Sequence, residues 1–343
     1  MRIAIADNVS RNPKYFPILD VILMYIDSDR HGFDAENILE LLESDWISAR
    51  PSDVADLVKF TALTRSNDNL ADASLVVIDE TCPIGGVVDF EYSKTTLHPL
   101  DAIQFLSTPF QVILENEFFD GAFLLWSARA TGLSKFIDAY RAGKVAFRHA
   151  GGKDSLERSA RTFSRGVWSR RDGSYSRALR LWVAVVLDND AKYSNHYPNK
   201  QIVDATRPHV TFVHQLSKRS IESYIPISFI EKILKPKQVY ALKRLTLEQR
   251  RYFHMKKGFK FEKNDSPSLA EYKRSPKVSE AEKKLFGTIL QPDWQELRSG
   301  FGGGLSAIYV EERHRPDQRS GQIFPIDDHL ELSDLIKKIY SRI

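Results

Sequence analysis

Two short apolar runs that stop abruptly in acidic side chains constrain this chain more than any other feature. The first is Gln111-Val-Ile-Leu-Glu-Asn-Glu-Phe-Phe-Asp-Gly-Ala-Phe-Leu-Leu125 and the second is Leu181-Trp-Val-Ala-Val-Val-Leu-Asp-Asn-Asp190. A short continuous run rich in β-branched residues reads as a strand buried on both faces, the kind found in parallel sheets flanked by helices. Open sheets of that class bind ligands at the carboxyl ends of their strands. Glu115 closes the first run, and Asp188 with Asp190 closes the second. In an extended chain the one-residue gap points both aspartates to one side. Carboxylates gathered this way repel one another unless a cation lies among them. An all-oxygen set favours a hard ion, Mg2+ or Mn2+, over zinc.

The pair of segments resembles the TOPRIM domain of topoisomerases, primases and the nucleases related to the overcoming-lysogenization-defect family. The residues that carry the likeness are Glu115, Asp120 and Asp188-Asn189-Asp190, together with Phe212-Val-His-Gln-Leu-Ser-Lys-Arg-Ser-Ile-Glu-Ser-Tyr-Ile-Pro226. That last stretch is similar to the lysine, arginine, glutamate, asparagine, tyrosine segment of the nuclease branch, with Glu222 as its glutamate. Asn116 stands where many members have glycine, Asp120 lies five residues after Glu115 rather than four, and Ser223 replaces the common asparagine.

The resemblance spans roughly residues 108 to 230. It implies a Rossmann-like parallel sheet and a magnesium-dependent endonuclease, the effector of a bacterial antiphage defence system. Glu115, Asp120, Asp188, Asp190 and Glu222 become metal ligands. Lys218 and Arg219 are suited to the scissile phosphate, and either Lys256 or Lys257 stands where a lysine beyond the domain assists. It also implies a separate ATPase or sensor protein as partner, and leaves DNA versus RNA and homo-oligomerisation open. The rival reading is a non-catalytic nucleic-acid-binding or sensor protein whose TOPRIM domain is degenerate. A topoisomerase needs a nucleophilic tyrosine in a separate cleavage domain, and a primase needs a zinc module or a nucleotide-cradling loop; no segment reads as any of these.

Charge matters through its distribution. With 49 Lys and Arg against 45 acids the net charge is only +4, too small by itself to argue for a polyanion partner. Between Arg148 and Arg180, however, nine basic residues face three acids, so this connector is locally +6. Arg165, Arg170 and Arg171 are its phosphate-contact candidates. A second basic stretch, 232 to 263, interleaves Tyr240, Tyr252, Phe253 and Phe259, the mixture of charge and flat surface that nucleic acids require. A single cysteine, Cys82, excludes a disulfide framework and a Cys-based zinc site. No apolar run approaches the ~18 to 20 residues of a membrane span, and the N-terminus does not read as a signal peptide, so a cytoplasmic protein is expected.

The remaining chain divides into an N-terminal α/β domain over 1–107, a TOPRIM-like domain over 108–230 and a mainly helical, basic region over 231–343. In the first, Arg2 to Ala6 and Ser74 to Asp79 read as strands. Tyr15 to Ile26, a segment capped by Asp34, and a segment entered through Pro51-Ser-Asp53 read as helices. Asp27-Ser-Asp29 reads as a capping turn. A helix is expected from about Phe123 and another from Leu133. Ala150-Gly-Gly-Lys-Asp-Ser155 fails the phosphate-loop pattern, because Phe147 stands where the first glycine belongs and Asp154 where Ser or Thr follows the lysine. It reads instead as the loop before a helix that packs under the second acidic strand. Ser164 to Ser176 and 191–207 read as polar loops, with His196 at the surface. Asn264 to Ser279 reads as a linker, Phe301-Gly-Gly-Gly304 as a sharp loop, and Leu332 to Ile343 as an amphipathic helix.

Overall fold

The computed structural model describes residues 1–28, 31–66, 75–89, 94–165, 177–262, 265–311, 316 and 323–343. Two sheets organise them. In the first, β1 (Arg2–Ile5), β2 (Gly32–Phe33), β3 (Leu75–Ile78), β4 (Val87–Asp89) and β5 (Lys94–Leu97) lie in the order β2-β1-β3-β5-β4. All neighbours are parallel except β4, which runs antiparallel along the edge. In the second, β6 (Phe110–Leu114), β7 (Val145–His149), β8 (Val183–Leu187) and β9 (Phe212–Gln215) lie in the order β7-β6-β8-β9, parallel throughout. The architecture is therefore α/β, one mixed and one parallel sheet flanked by helices, compatible with a Rossmann-like fold. No helix among the described residues is long and apolar enough to cross a membrane.

The central strands of the second sheet, β6 and β8, are covered on both faces, which is why they read as apolar runs. Every residue of β8 is buried. One face of the sheet, through Phe110, Val112, Leu114, Ala184 and Val186, meets Phe123, Leu124 and Trp126 of the helix Glu117–Ala130. The other, through Ile113, Val183, Val185 and Leu187, meets Leu156 and Ala160 of the helix Leu156–Arg165. Each such Val, Leu or Phe contributes about 1.5–3 kcal/mol relative to exposure.

The first core does not stop at residue 230. Val239, Phe253, Trp294, Leu305 and the buried stripe Leu332, Leu335, Ile336 and Ile339 of the helix Ile326–Tyr340 belong to the same cluster as β6. The described helices of the C-terminal region thus share one core with the parallel sheet.

Several boundaries differ from the sequence reading. Asp34 does not cap a helix: its backbone N–H still bonds to Ile3 O at 2.8 Å, extending the β1–β2 ladder, and the helix begins at Ile38. Asp27 ends its helix, Phe16–Asp27, while Asp29 lies outside the described residues. The expected linker is structured where it is described. Ser268 and Ser279 are N-caps, each in a capping box with the glutamate three residues on, and they start the helices Leu269–Arg274 and Glu280–Phe286. Tyr272 is buried against Phe259 and Trp294, and Trp294 Nε1 donates to Pro267 O at 2.9 Å. Serines that look like flexibility in a sequence are here satisfying helix termini. Within 191–207, Lys200–Thr206 is helical.

The two sheets are joined by more than the chain crossing at 107. Ala178, Leu181 and Trp182, in the 3-10 segment Arg177–Trp182 that leads directly into β8, are buried in the core of the N-terminal sheet. Trp182 meets Phe105 edge to face at 5.8 Å.

Candidate active site at the switch point of the parallel sheet

The order β7-β6-β8-β9 means that the chain leaves β6 towards β7 on one side and then returns to β8 on the other. The carboxyl ends of β6 and β8 therefore flank the topological switch point, where an open sheet leaves a crevice. Glu115 follows β6 directly and Asp188 follows β8 directly. Extending the register Ile113↔Val185 sets Glu115 level with Leu187, one residue before Asp188. The sequence reading placed both aspartates on one side of an extended strand. In the structure β8 ends at Leu187, and Asp190 has φ 56°. A turn, not strand alternation, brings Asp190 back to the cluster.

That turn is fastened by two residues the sequence reading did not assign. Asn199, 1% exposed, donates from Nδ2 to Asp188 O at 2.8 Å, Asn189 O at 3.1 Å and Asp190 Oδ2 at 3.2 Å. Lys153 Nζ donates to Asp190 Oδ2 at 2.5 Å and to Asn199 Oδ1 at 3.0 Å. Gly151 (φ 83°) and Gly152 (φ 103°) make the tight turn from which Lys153 reaches the site. The Gly-Gly-Lys sequence after a strand was the available signal. It is no phosphate loop, but it does deliver its lysine to the acidic cluster.

Asn116 has a structural task of its own. It is the N-cap of the helix Glu117–Ala130, accepting from Phe118 and Phe119 N–H at 3.0 and 3.1 Å. Asp120 returns the favour by accepting from Asn116 N–H at 2.9 Å. The helix therefore starts six residues earlier than Phe123, because the cap and the acidic first turn favour its N-terminus. Asp120 is thereby tied to the end of the strand that carries Glu115.

Glu222, fully buried, is held by Lys256 Nζ at 2.8 Å, Ser306 Oγ at 2.5 Å and Ser220 Oγ at 2.7 Å. Its neighbour Ile221 donates its N–H to Asp188 Oδ1 at 3.0 Å. Lys256 rather than the exposed Lys257 reaches the cluster. Its loop is clasped by backbone: Phe301 N–H donates to Met255 O at 2.8 Å and Gly302 N–H to Lys256 O at 3.0 Å.

Lys218 goes elsewhere. Its ammonium bonds Asp328 Oδ2 at 2.5 Å and Ser223 O at 3.1 Å, while Glu331 on the same C-terminal helix accepts from Ser217 and Tyr224. Arg219 Nη1 donates to Tyr252 O at 3.0 Å, and its charge acts on Asp190. Arg170 and Arg171 lie outside the described residues, as does the Arg165 side chain. His196 accepts from Lys192 N–H at 3.1 Å and stacks on Tyr193.

Electrostatics tie the acids together. Burial, then Asp190 and Asp120, pushes the Glu115 carboxyl up to about 7, and its Oε1 is buried without a hydrogen-bond partner. Burial pushes Asp120 up to about 6, with Glu222 adding to the rise. Burial and then Asp120, Glu222, Glu115 and Asp190 raise Asp188 well above the usual range. Burial also works against Asp190 and Glu222, yet Lys153 with Asn199, and Lys256 with the two serines, hold these two below it. An all-oxygen donor set with an orphaned carboxylate oxygen has the chemistry of a hard-cation site. Even so, among the described residues no group of three or more His, Cys, Asp or Glu is already arranged to hold a metal ion.

No protein-family model, curated protein or solved structure matches the chain.

A pH dependence follows directly. The Glu115 and Asp120 carboxyls titrate higher in the folded chain than in the unfolded one, so between about pH 4 and about pH 7 these two hold extra protons, more than His254, kept neutral by burial down to about 3, gives up. Stability in chelator is therefore expected to fall as pH rises through that window, by a few degrees in melting temperature. Glu115→Gln should flatten the slope. A melting temperature that climbs across that window would contradict the coupling.

Proposed function

We propose that the chain is a metal-dependent phosphodiesterase, a nuclease of the TOPRIM type. One observation carries the reading: five carboxylates, Glu115, Asp120, Asp188, Asp190 and Glu222, act on one another at the switch point of a parallel sheet. The cations acting on them are chiefly Lys153, Lys256 and Arg219. With all groups charged, that leaves an excess of two negative charges, the charge of one divalent ion. Glu115, Asp188 and Asp190 would hold Mg2+ or Mn2+, with Asp120 beside them. Bound there, the metal would supply charge neutralisation and an activated water for attack on phosphorus.

The chain's own residues do the positioning. Asn199 and Lys153 fix the Asp190 turn, and Ile221 N–H aims Asp188. Glu222, saturated by Lys256 and two serines, anchors the lysine that would face a phosphate, and it would serve as a second-metal ligand only if Lys256 gave way to the ion. Arg219 remains a candidate for a phosphate contact, whereas Lys218, engaged with Asp328, supports the Ser217–Tyr224 segment instead. Arg165, Arg170 and Arg171 remain phosphate-contact candidates on charge alone. The antiphage-defence setting and the separate ATPase or sensor partner rest on the resemblance.

A second reading, a nucleic-acid-binding or sensor protein with a degenerate TOPRIM domain, has one observation in its favour. Ammonium groups already sit on Asp190 and Glu222. Incubation with supercoiled DNA and with structured RNA in magnesium, manganese or chelator separates the two. Metal-dependent nicking or chain cleavage is the expected result. Binding without cleavage in either metal selects the second reading.

A further inference from the structure

We infer that an unpaired nucleobase binds in the open cavity of about 240 Å3 beside the carboxylates, lined among others by Asn189, Tyr193, Asn195, His196, Gln215 and Tyr252. The inference deepens the nuclease reading and rests on it for the strand's identity. Asn189 sits between Asp188 and Asp190, so one wall of the cavity is built from the same turn that carries two of the carboxylates.

Its chemistry is the opposite of the cluster's. None of the lining side chains is a lysine, arginine, aspartate or glutamate, and burial followed by the Lys192 charge holds His196 below its usual range, hence neutral. The lining side chains themselves offer a phosphate no counter-charge. A flat, neutral group with polar edges fits instead. Tyr193, His196 and Tyr252 are flat side chains at the wall, and Tyr193 and His196 are already stacked at 5.0 Å and 17°. At about 240 Å3 the cavity lies just below the roughly 300–1,000 Å3 of drug-sized pockets, the scale of a single base.

Edge recognition is also available. His196 Nδ1 accepts from Lys192 N–H, which leaves the proton of the neutral ring on Nε2 as a donor. Gln215 donates through Nε2 to Asn189 O and Asn189 Oδ1 at 3.2 and 3.0 Å, so its orientation is fixed with Oε1 as the remaining acceptor. A base in a duplex is stacked and cannot enter. The substrate strand must be single-stranded or locally unpaired at this nucleotide.

The test uses the full chain with calcium replacing magnesium, so that binding is read without turnover. The probes are labelled 12-nucleotide DNA and RNA strands, their duplexes, and the same single strands carrying one abasic nucleotide at each position in turn. One abasic position is expected to weaken binding about tenfold, the scale of one base–aromatic stack, with duplexes bound more weakly than single strands. Tyr193→Ala should lose the same factor on intact strands and become insensitive to that abasic position, while Tyr193→Phe retains both. A flat abasic scan, no measurable binding of any strand, or a Tyr193→Ala variant as sensitive as the parent overturns the pocket. Base-dependent binding without cleavage in magnesium or manganese would leave the pocket standing and remove the nuclease reading.

Discussion

Asp188→Asn and Asp190→Asn are each expected to reduce metal-dependent cleavage on the order of 10^3-fold or more, with the chain still folded. Asp188 lies at the mouth of the sheet, and what it contributes is charge: its carboxyl is raised by burial and by four neighbouring acids. Removing that charge relieves repulsion in the metal-free chain, so the melting temperature should hold or rise slightly. The amide oxygen of asparagine keeps the acceptor for Ile221 N–H, which an alanine would discard. Asp190→Asn differs in one respect. Lys153 loses the negative charge of the partner it reaches at 2.5 Å, so a small loss of stability is expected there and not at Asp188. Substrate binding in calcium, measured on the same variants, separates lost chemistry from lost fold. Undiminished turnover in both would end the assignment of this cluster as the reaction centre.

The second large effect is on stability. Gly258 (φ 64°) and Gly300 (φ 63°) meet backbone to backbone. A Cβ on Gly300 would lie 2.4 Å from Gly258 N and 2.6 Å from the Lys256 carbonyl. The left-handed conformation alone costs alanine about 1–2 kcal/mol, and here the obstacle is main chain, which cannot rotate aside. Gly300→Ala should therefore destabilise by about 3 kcal/mol or more, on the order of 10 °C in melting temperature. Because the same contact clasps the loop that carries Lys256, turnover should fall as well. Gly304, with open space where a Cβ would go, supplies the contrast: Gly304→Ala should stay within about 0.5 kcal/mol of the parent. A Gly300→Ala variant that melts with the parent would show that the clasp is not needed.

What the sequence made legible was local. Buried parallel strands carry their signal in consecutive residues, so β6 and β8 and the acids at their ends stood out, as did the glycine turn before the helix under β8. What it hid was long-range. Asn199 and Lys153 reach Asp190 across loops whose motifs are incomplete, and Asp328 and Glu331 meet the 217–224 segment from more than a hundred residues away. Sequence adjacency also misled. Lys218, assigned with Arg219 to the phosphate because both stand beside Glu222 in the sequence, reaches Asp328 instead, while Glu222 is held by Lys256. The capping serines around 268 and 279 were misread because one residue type serves both flexible loops and helix starts.

The burial of Ala178, Leu181 and Trp182 in the N-terminal core bears on how such a chain can be rearranged over evolution. The strand that presents Asp188 and Asp190 starts inside the neighbouring unit, so a crossover at residue 107 that exchanged one N-terminal half for another would leave a tryptophan without its socket. Recombination that preserves the acidic edge must carry the hexapeptide Arg177–Trp182 along with the half it plugs into. The two halves are then inherited as one unit, because the chain that leaves the first core at 107 returns to it at Arg177–Trp182.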